Sequence, residues 1–183
     1  MSVFISWYKY HLLLRPILTQ SIATGIIFTS GDIIAQGFIE QRGHKKYDFS
    51  RTLRLGGFGA LIAGPSGATW YRILDKYIDI KKPFLALLTR VTLDQTIYAP
   101  SFIATFLSVQ SILERQSKEQ IIKKFKNVYL PTLINNYKLW PTVQLLNFYF
   151  IPLNHRLLVV NTVALGWNTY LSIVNKRGSD IVG

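Results

Sequence analysis

Apolar residues in this chain come in long blocks rather than in stripes. Residues 17–39 carry a single charge, Asp32, and residues 55–71 carry none. Residues 84–113 hold only Arg90 and Asp94, and residues 139–174 only Arg156. A helix needs roughly 20 mainly apolar residues to cross the hydrocarbon core. The last block is nearly two such lengths, and Pro152 ahead of Leu153-Asn154-His155 is a natural break in it. The pattern predicts an all-α fold: a multi-span transmembrane helix bundle of four to five spans, forming one integral membrane domain over residues 1–183. The soft boundary is residues 129–139, where Asn135, Asn136 and Lys138 dilute the hydrophobicity. A soluble helical protein is the alternative, but its helices would need a polar face at period 3.6. The stretch LGGFGALIAGPSGATWY has none, which decides for the membrane.

The connectors between blocks are short and basic. Arg42, Lys45, Lys46, Arg51 and Arg54 lie in the first, Arg72, Lys76, Lys81 and Lys82 in the second. The third holds Arg115, Lys118, Lys123, Lys124 and Lys126. Alternate sides of a four-span arrangement receive similar numbers of cations, so the positive-inside rule gives no orientation. Within the third connector, Ile121, Ile122, Phe125, Val128 and Tyr129 follow helical spacing. That suits a short helix in the membrane interface, or equally a cap helix packed on its own bundle. The amphipathic N-terminal segment, residues 1–15, has Lys9 and Arg15 and no acid, as a mitochondrial import signal does. Pro16 marks the start of the first span.

Charge changes the picture in one respect. The net charge is +12, from 21 Lys+Arg against 9 Asp+Glu, while 49% of residues are hydrophobic and mean hydropathy is +0.22. Such a chain has too much apolar surface to stay disordered. Its cations are spread over all connectors, which argues against direct nucleic-acid binding. Anionic headgroups such as cardiolipin are the better expected partner, beside the bilayer itself. With no cysteine, neither a disulfide framework nor a thiolate metal site is available.

Signatures of catalysis are missing. His11, His44 and His155 are far apart, and no H-E-x-x-H, P-loop or G-x-S-x-G occurs. Gly57-Phe58-Gly59 starts like a dinucleotide loop, but Ile62 stands at the third glycine position. We expect no enzyme, no metal and no cofactor. The glycines read instead as helix packing. Gly56, Ala60, Gly64 and Ala68 recur every four residues, with Gly59, Ala63 and Gly67 on an adjoining row. Small residues let helices approach closely in lipid. Pro65 inside this stripe should kink the helix and free a carbonyl.

The acids in the blocks are the sharper signal. Asp32 and Gln36 share a helix face, Asp94 is followed by Gln95, and Arg90 lies one turn before Asp94. A carboxylate within a span costs about 2.5–3.5 kcal/mol, so it pairs or faces a water-filled path. Arg90, Arg54, Lys138 and Arg156 are the candidate partners, and a structural ion pair and a solute path stay equally open. In the last third, Gln144 and Asn147 fall on one face with Pro141. A tandem pattern adds to this: an acid-and-Gln span is twice followed by a span with Pro and Trp (Pro65, Trp70; Trp140, Pro141). Repeated halves of this kind often place a transporter site at their interface.

The run LWPTVQLLNFYFIPLNHRL with WNTYLS, within a C-terminal signature region of residues 139–175, resembles the signature of the Mpv17/peroxisomal-membrane-protein-22 family. Its aromatics and prolines are Trp140, Pro141, Pro152, Trp167 and Tyr170. Earlier matches follow in order: Pro16, Gly31-Asp32-x3-Gln36, Gly64-Pro65 with Trp70-Tyr71, and Asp94-Gln95 with Pro100. The resemblance implies a small multi-span protein of the mitochondrial inner membrane, or else the peroxisomal membrane. It implies a channel-like or metabolite-passing role linked to mitochondrial DNA maintenance. The absence of cysteine excludes any thiol-based gating of the kind proposed for relatives. The sequence reading is therefore a pathway for small solutes, with Asp32, Gln36, Arg90, Asp94, Gln95, Gln144, Asn147 and Arg156 as pore or buried polar network. The alternative is a non-transporting accessory subunit of a larger membrane complex. Self-association into a homo-oligomer suits either.

Overall fold

The computed structural model describes residues 3–40 and 47–166, and these are mostly helical, with no strand among them. In chain order the helices are α1 (Val3–Leu14), α2 (Pro16–Ile34), α3 (Phe49–Phe58), α4 (Gly64–Tyr77), α5 (Pro83–Leu93), α6 (Ala99–Leu113), α7 (Lys118–Lys124), α8 (Leu130–Phe150) and α9 (residues 153–166). The chain divides into two compact units: Met1–Ala68 with Leu157–Gly183, and Thr69–Arg156.

Local chemistry sets the helix ends. Pro16 and Pro83 open α2 and α5, where a missing N–H costs nothing. Asp48 caps α3 by accepting from Arg51 N at 2.9 Å. Ser117 and Gln120 form a reciprocal capping box on α7. Arg115 ends α6 in the left-handed region, at φ 55.

Four prolines sit inside long helical runs; Pro141 lies within regular α8, and the other three each follow a π turn. The turns are Gly59–Ala63 before Pro65, Asp94–Tyr98 before Pro100, and Phe125–Tyr129 before Pro131. A proline ring clashes with the carbonyl four residues back and supplies no N–H. Widening the preceding turn to an i→i+5 bond accommodates both defects without ending the helix. Before Pro65 the backbone ladder widens to a π turn, in which Gly64 N bonds to Gly59 O. For the same reason α7 is not a separate short helix: it runs through the turn at 125–129 into α8, and the soft boundary at 129–139 contains no break. Ile122 and Val128 of that run are exposed rather than covered.

In the first unit, α2 packs on α3 and the π turn that follows it. The contact is made by small residues from both sides. A Cβ on Gly64 would fall 2.5 Å from Ser21 Cα, one on Gly59 3.0 Å from Phe28 Cβ, and one on Gly56 would collide with Thr29 Oγ1. From the facing helix, a Cβ on Gly25 would fall 2.8 Å from Ala60 Cβ. Gly67 is buried, whereas Gly57, off the stripe, has open space around it. Helix α9 joins this unit where Asn161 donates to Thr24 Oγ1 at 2.7 Å and Leu165 closes on Gly31. In the second unit α8 packs along α5 and α6.

Burial is inverted relative to a soluble protein. Gln20, Thr24, Asp32, Gln36, Asp94, Gln144 and Asn147 are buried, while Leu13, Leu61, Phe84 and Tyr149 are each at least two-thirds exposed. Interior polarity with an apolar exterior requires an apolar solvent. Among the described residues two helices are long and apolar enough to cross a membrane, Pro16–Gly37 and Pro83–Leu113. The block at 55–71 falls short because Gly, Ser, Thr and Tyr dilute it. The block at 139–174 is interrupted at Ile151–Pro152.

Candidate functional site

Among the described residues, each unit contains one buried carboxylate with a network of partners. In the first, Asp32 lies on the last turns of α2, and Gln36 follows one turn later in the π turn Ala35–Ile39. Gln36 donates to Asp32 Oδ2 at 2.7 Å. Thr52 Oγ1 donates to the same oxygen at 2.6 Å, and Arg51 Nε stands 2.7 Å from Oδ1. Arg51 also reaches Glu40 at 2.7 Å. Gln36 closes the loop between the two helices by accepting from Asp48 N at 2.7 Å and donating to Asp48 O at 3.0 Å. Gln36 is fully buried and Asp32 4% exposed. This is an ion pair whose carboxylate Gln36 and Thr52 also bond, tying the end of α2 to the start of α3.

The second network differs in kind. Asp94 opens the π turn between α5 and α6 and is 2% exposed. Its Oδ1 accepts from Trp70 Nε1 at 3.0 Å, and its Oδ2 from Gln95 Nε2 at 2.8 Å and Gln144 Nε2 at 2.9 Å. The ring of Trp70 stacks on Tyr98 with centroids 5.4 Å apart. Gln144 Nε2 also reaches Tyr71 Oη at 3.0 Å, and its Oε1 accepts from Asn147 at 3.1 Å. Gln95 Oε1 accepts from Asn136 at 3.2 Å, and Gln95 O from the Tyr137 hydroxyl at 3.0 Å. Three helical segments therefore converge on one carboxylate through neutral donors, and no cation pairs with Asp94 among the described residues.

The expected cations go elsewhere. Arg90 and Arg156 meet on Asp75, at 3.8 and 3.3 Å, Arg54 lies 4.0 Å from Asp48, and Lys138 donates to Asn135 at 2.9 Å. None of the four pairs with Asp32 or Asp94. Arg156 also lies over the Phe148 ring, 5.3 Å from its centroid, and Phe148 meets Tyr71 edge-on. Of the eight network residues named from sequence, Asp32 and Gln36 share one site, and Asp94, Gln95, Gln144 and Asn147 the other. Arg90 and Arg156 stand apart on Asp75.

Arg51, Thr52, Asp75 and Asn136 join the sites without standing out in the sequence. Arg51 and Thr52 lie in a connector whose pattern says only that it is basic. Asn136 dilutes an apolar run, and an amide in such a run is itself the signal. Trp140 and Pro141 are half-buried in α8, and Pro152 is exposed at its end. Trp167 and Tyr170 lie outside the described residues.

Helices with apolar exteriors around buried, hydrogen-bonded acids define an integral membrane protein of the all-helical class. The Mpv17 / PMP22 family model matches residues 111–172. "Protein SYM1" of Gibberella zeae is 41% identical over 178 residues, 97% of this chain and 100% of that protein. "Mitochondrial inner membrane protein Mpv17" of Xenopus laevis is 44% identical over 168 residues, 91% of this chain and 94% of that one. "Protein SYM1" of Saccharomyces cerevisiae is 39% identical over 175 residues, covering 93% and 89%. No solved structure matches the chain. The chain belongs to the Mpv17/PMP22 family and is a protein of the mitochondrial inner membrane.

Proposed function

We propose that the protein forms, alone or as a homo-oligomer, a pathway for small solutes across the inner membrane, with the Asp94 network as its constriction. The observation that carries this reading is the carboxylate itself. Asp94 is held by three neutral donors from three helical segments and, among the described residues, has no counter-cation. An acid in a span costs about 2.5–3.5 kcal/mol, and an apolar residue would pack there without that cost. Neutral donors can exchange for water or for a passing solute without stranding a second charge, whereas an ion pair cannot. The described arrangement corresponds to a closed state, since Asp94, Gln144 and Asn147 are buried. Four to five spans accommodate the two qualifying helices together with the longer runs 49–77 and 118–150. The basic connectors suit anionic headgroups such as cardiolipin, and no enzymatic step or direct nucleic-acid contact is needed.

A second reading, a non-transporting accessory subunit, is favoured by the other network. Asp32, Arg51, Gln36 and Thr52 form a paired lock of the kind that fixes helix geometry. Liposomes containing only this protein separate the two. Flux of small tracers above that of protein-free vesicles supports the pathway. Folded, correctly inserted protein without flux supports the accessory subunit.

A further inference from the structure

The cluster at Asp75 has more cation than acid. Arg156 Nη1 at 3.3 Å and Arg90 Nη2 at 3.8 Å converge on the same oxygen, Asp75 Oδ1. Each guanidinium is also fixed by a backbone carbonyl: Arg156 Nε donates to Ile151 O at 3.0 Å and Arg90 Nη2 to Ile78 O at 3.2 Å. Arg156 is 6% exposed, and Arg90 Nε is buried without a hydrogen-bond partner among the described residues. The Asp75 side chain, by contrast, is 40% exposed, so the cluster is accessible from its carboxylate side. Two guanidiniums on one carboxylate leave one net positive charge. The surrounding sequence does not cancel it: in residues 72–82 Arg72, Lys76, Lys81 and Lys82 outnumber Asp75 and Asp79. A buried cation that is not fully compensated is costly unless an anion completes its shell. Guanidinium forks match the oxygens of phosphate in particular.

We propose that Arg90 and Arg156 form a phosphate-binding site, in which Asp75 is the internal carboxylate that a phosphate group displaces. The site stands whether or not the protein conducts. The phosphate group can belong to a phospholipid headgroup or to a soluble phosphate, and the recognition chemistry is the same.

The test uses purified full-length protein in a sugar-headed detergent, which brings no phosphate of its own. Thermal unfolding is followed against inorganic phosphate, with chloride at matched ionic strength as reference, and separately against micelles doped with phosphatidylglycerol. A saturable rise in unfolding temperature with inorganic phosphate identifies a soluble phosphate as ligand. A rise only with phosphatidylglycerol identifies the headgroup. Arg156→Gln should weaken the apparent affinity about tenfold, the scale of one charge-assisted bond. Asp75→Asn should strengthen it, because the competing carboxylate is gone. That gain is the readout a purely structural ion cluster does not give, and it remains available if Arg156→Gln fails to fold. No saturable effect from either phosphate source overturns the proposal, as does unchanged or weaker affinity in Asp75→Asn.

Discussion

Arg51 holds Asp32: its Nε stands 2.7 Å from an Oδ1 whose side chain is fully buried, while the same guanidinium reaches Glu40. The pair crosses from the end of α2 to the first turn of α3. Removing one member of such a pair leaves the other charge buried and alone, at about 3–5 kcal/mol. Arg51→Gln should therefore lower the unfolding temperature sharply in detergent. Thr52→Val removes one hydroxyl donor to the same carboxylate and should cost less, about 1–3 kcal/mol. Adding Asp32→Asn to Arg51→Gln should recover much of the loss. Simple additivity of the two single changes would show that the charges are not coupled.

Trp70 and Asp94 make the corresponding test in the second unit. Trp70→Phe keeps an aromatic ring against Tyr98 and deletes the Nε1 donor to Asp94. A hydrogen bond to a charged group contributes about 1.5–3 kcal/mol. Thermal unfolding should register a loss of that size. In the Asp94→Asn background the same change should cost much less. Equal cost in both backgrounds would assign Trp70 to packing alone.

How much of this was legible in the sequence depended on the range of the interaction. Asp32 with Gln36, Asp94 with Gln95, and the Gly56–Gly64 stripe are local patterns, and periodicity exposes them. Each acid is bonded by the glutamine that stands near it in sequence. The cation partners were not local in any useful sense. Arg90 sits one turn before Asp94, yet its guanidinium goes to Asp75, because Ile78 O and Asp75 lie where the side chain reaches. Arg51 lies 19 residues after Asp32, beyond a connector whose length hid the pairing. Facing small residues on α2, Ser21-x3-Gly25, repeat the spacing of the stripe they meet and were open to the same reasoning. The π turns were not foreseen, although every interior X-Pro they precede was visible.

Gly64 faces Ser21, whereas Leu61 is 79% exposed on the same run. Gly64→Leu places a branched side chain where the α2 backbone passes. Misfolded or unstable protein is expected, with a loss above the 1–3 kcal/mol typical of overpacking. Leu61→Ala should change unfolding temperature little. Similar effects of the two changes, read by yield and thermal unfolding, would contradict this helix contact.

Arg115 ends α6 at φ 55, a conformation that strains a residue with a Cβ. Its N–H bonds to Ile112 O at 2.9 Å, so the backbone geometry is fixed by the helix end. Arg115→Gly removes the strain and should stabilise by about 0.5–1 kcal/mol after the entropy of glycine is counted. A drop in unfolding temperature would mean that the arginine side chain contributes more than its strain costs.

In the proposed pathway the Asp94 network is the constriction. Planar-bilayer conductance of wild type and Asp94→Asn, prepared at equal yield and with the same unfolding profile, measures it most directly. A carboxylate at a constriction sets the local potential and favours cations. Wild type should conduct, and Asp94→Asn should conduct with reduced cation preference. Electrically silent wild type, or conductance and selectivity untouched by Asp94→Asn, would contradict it.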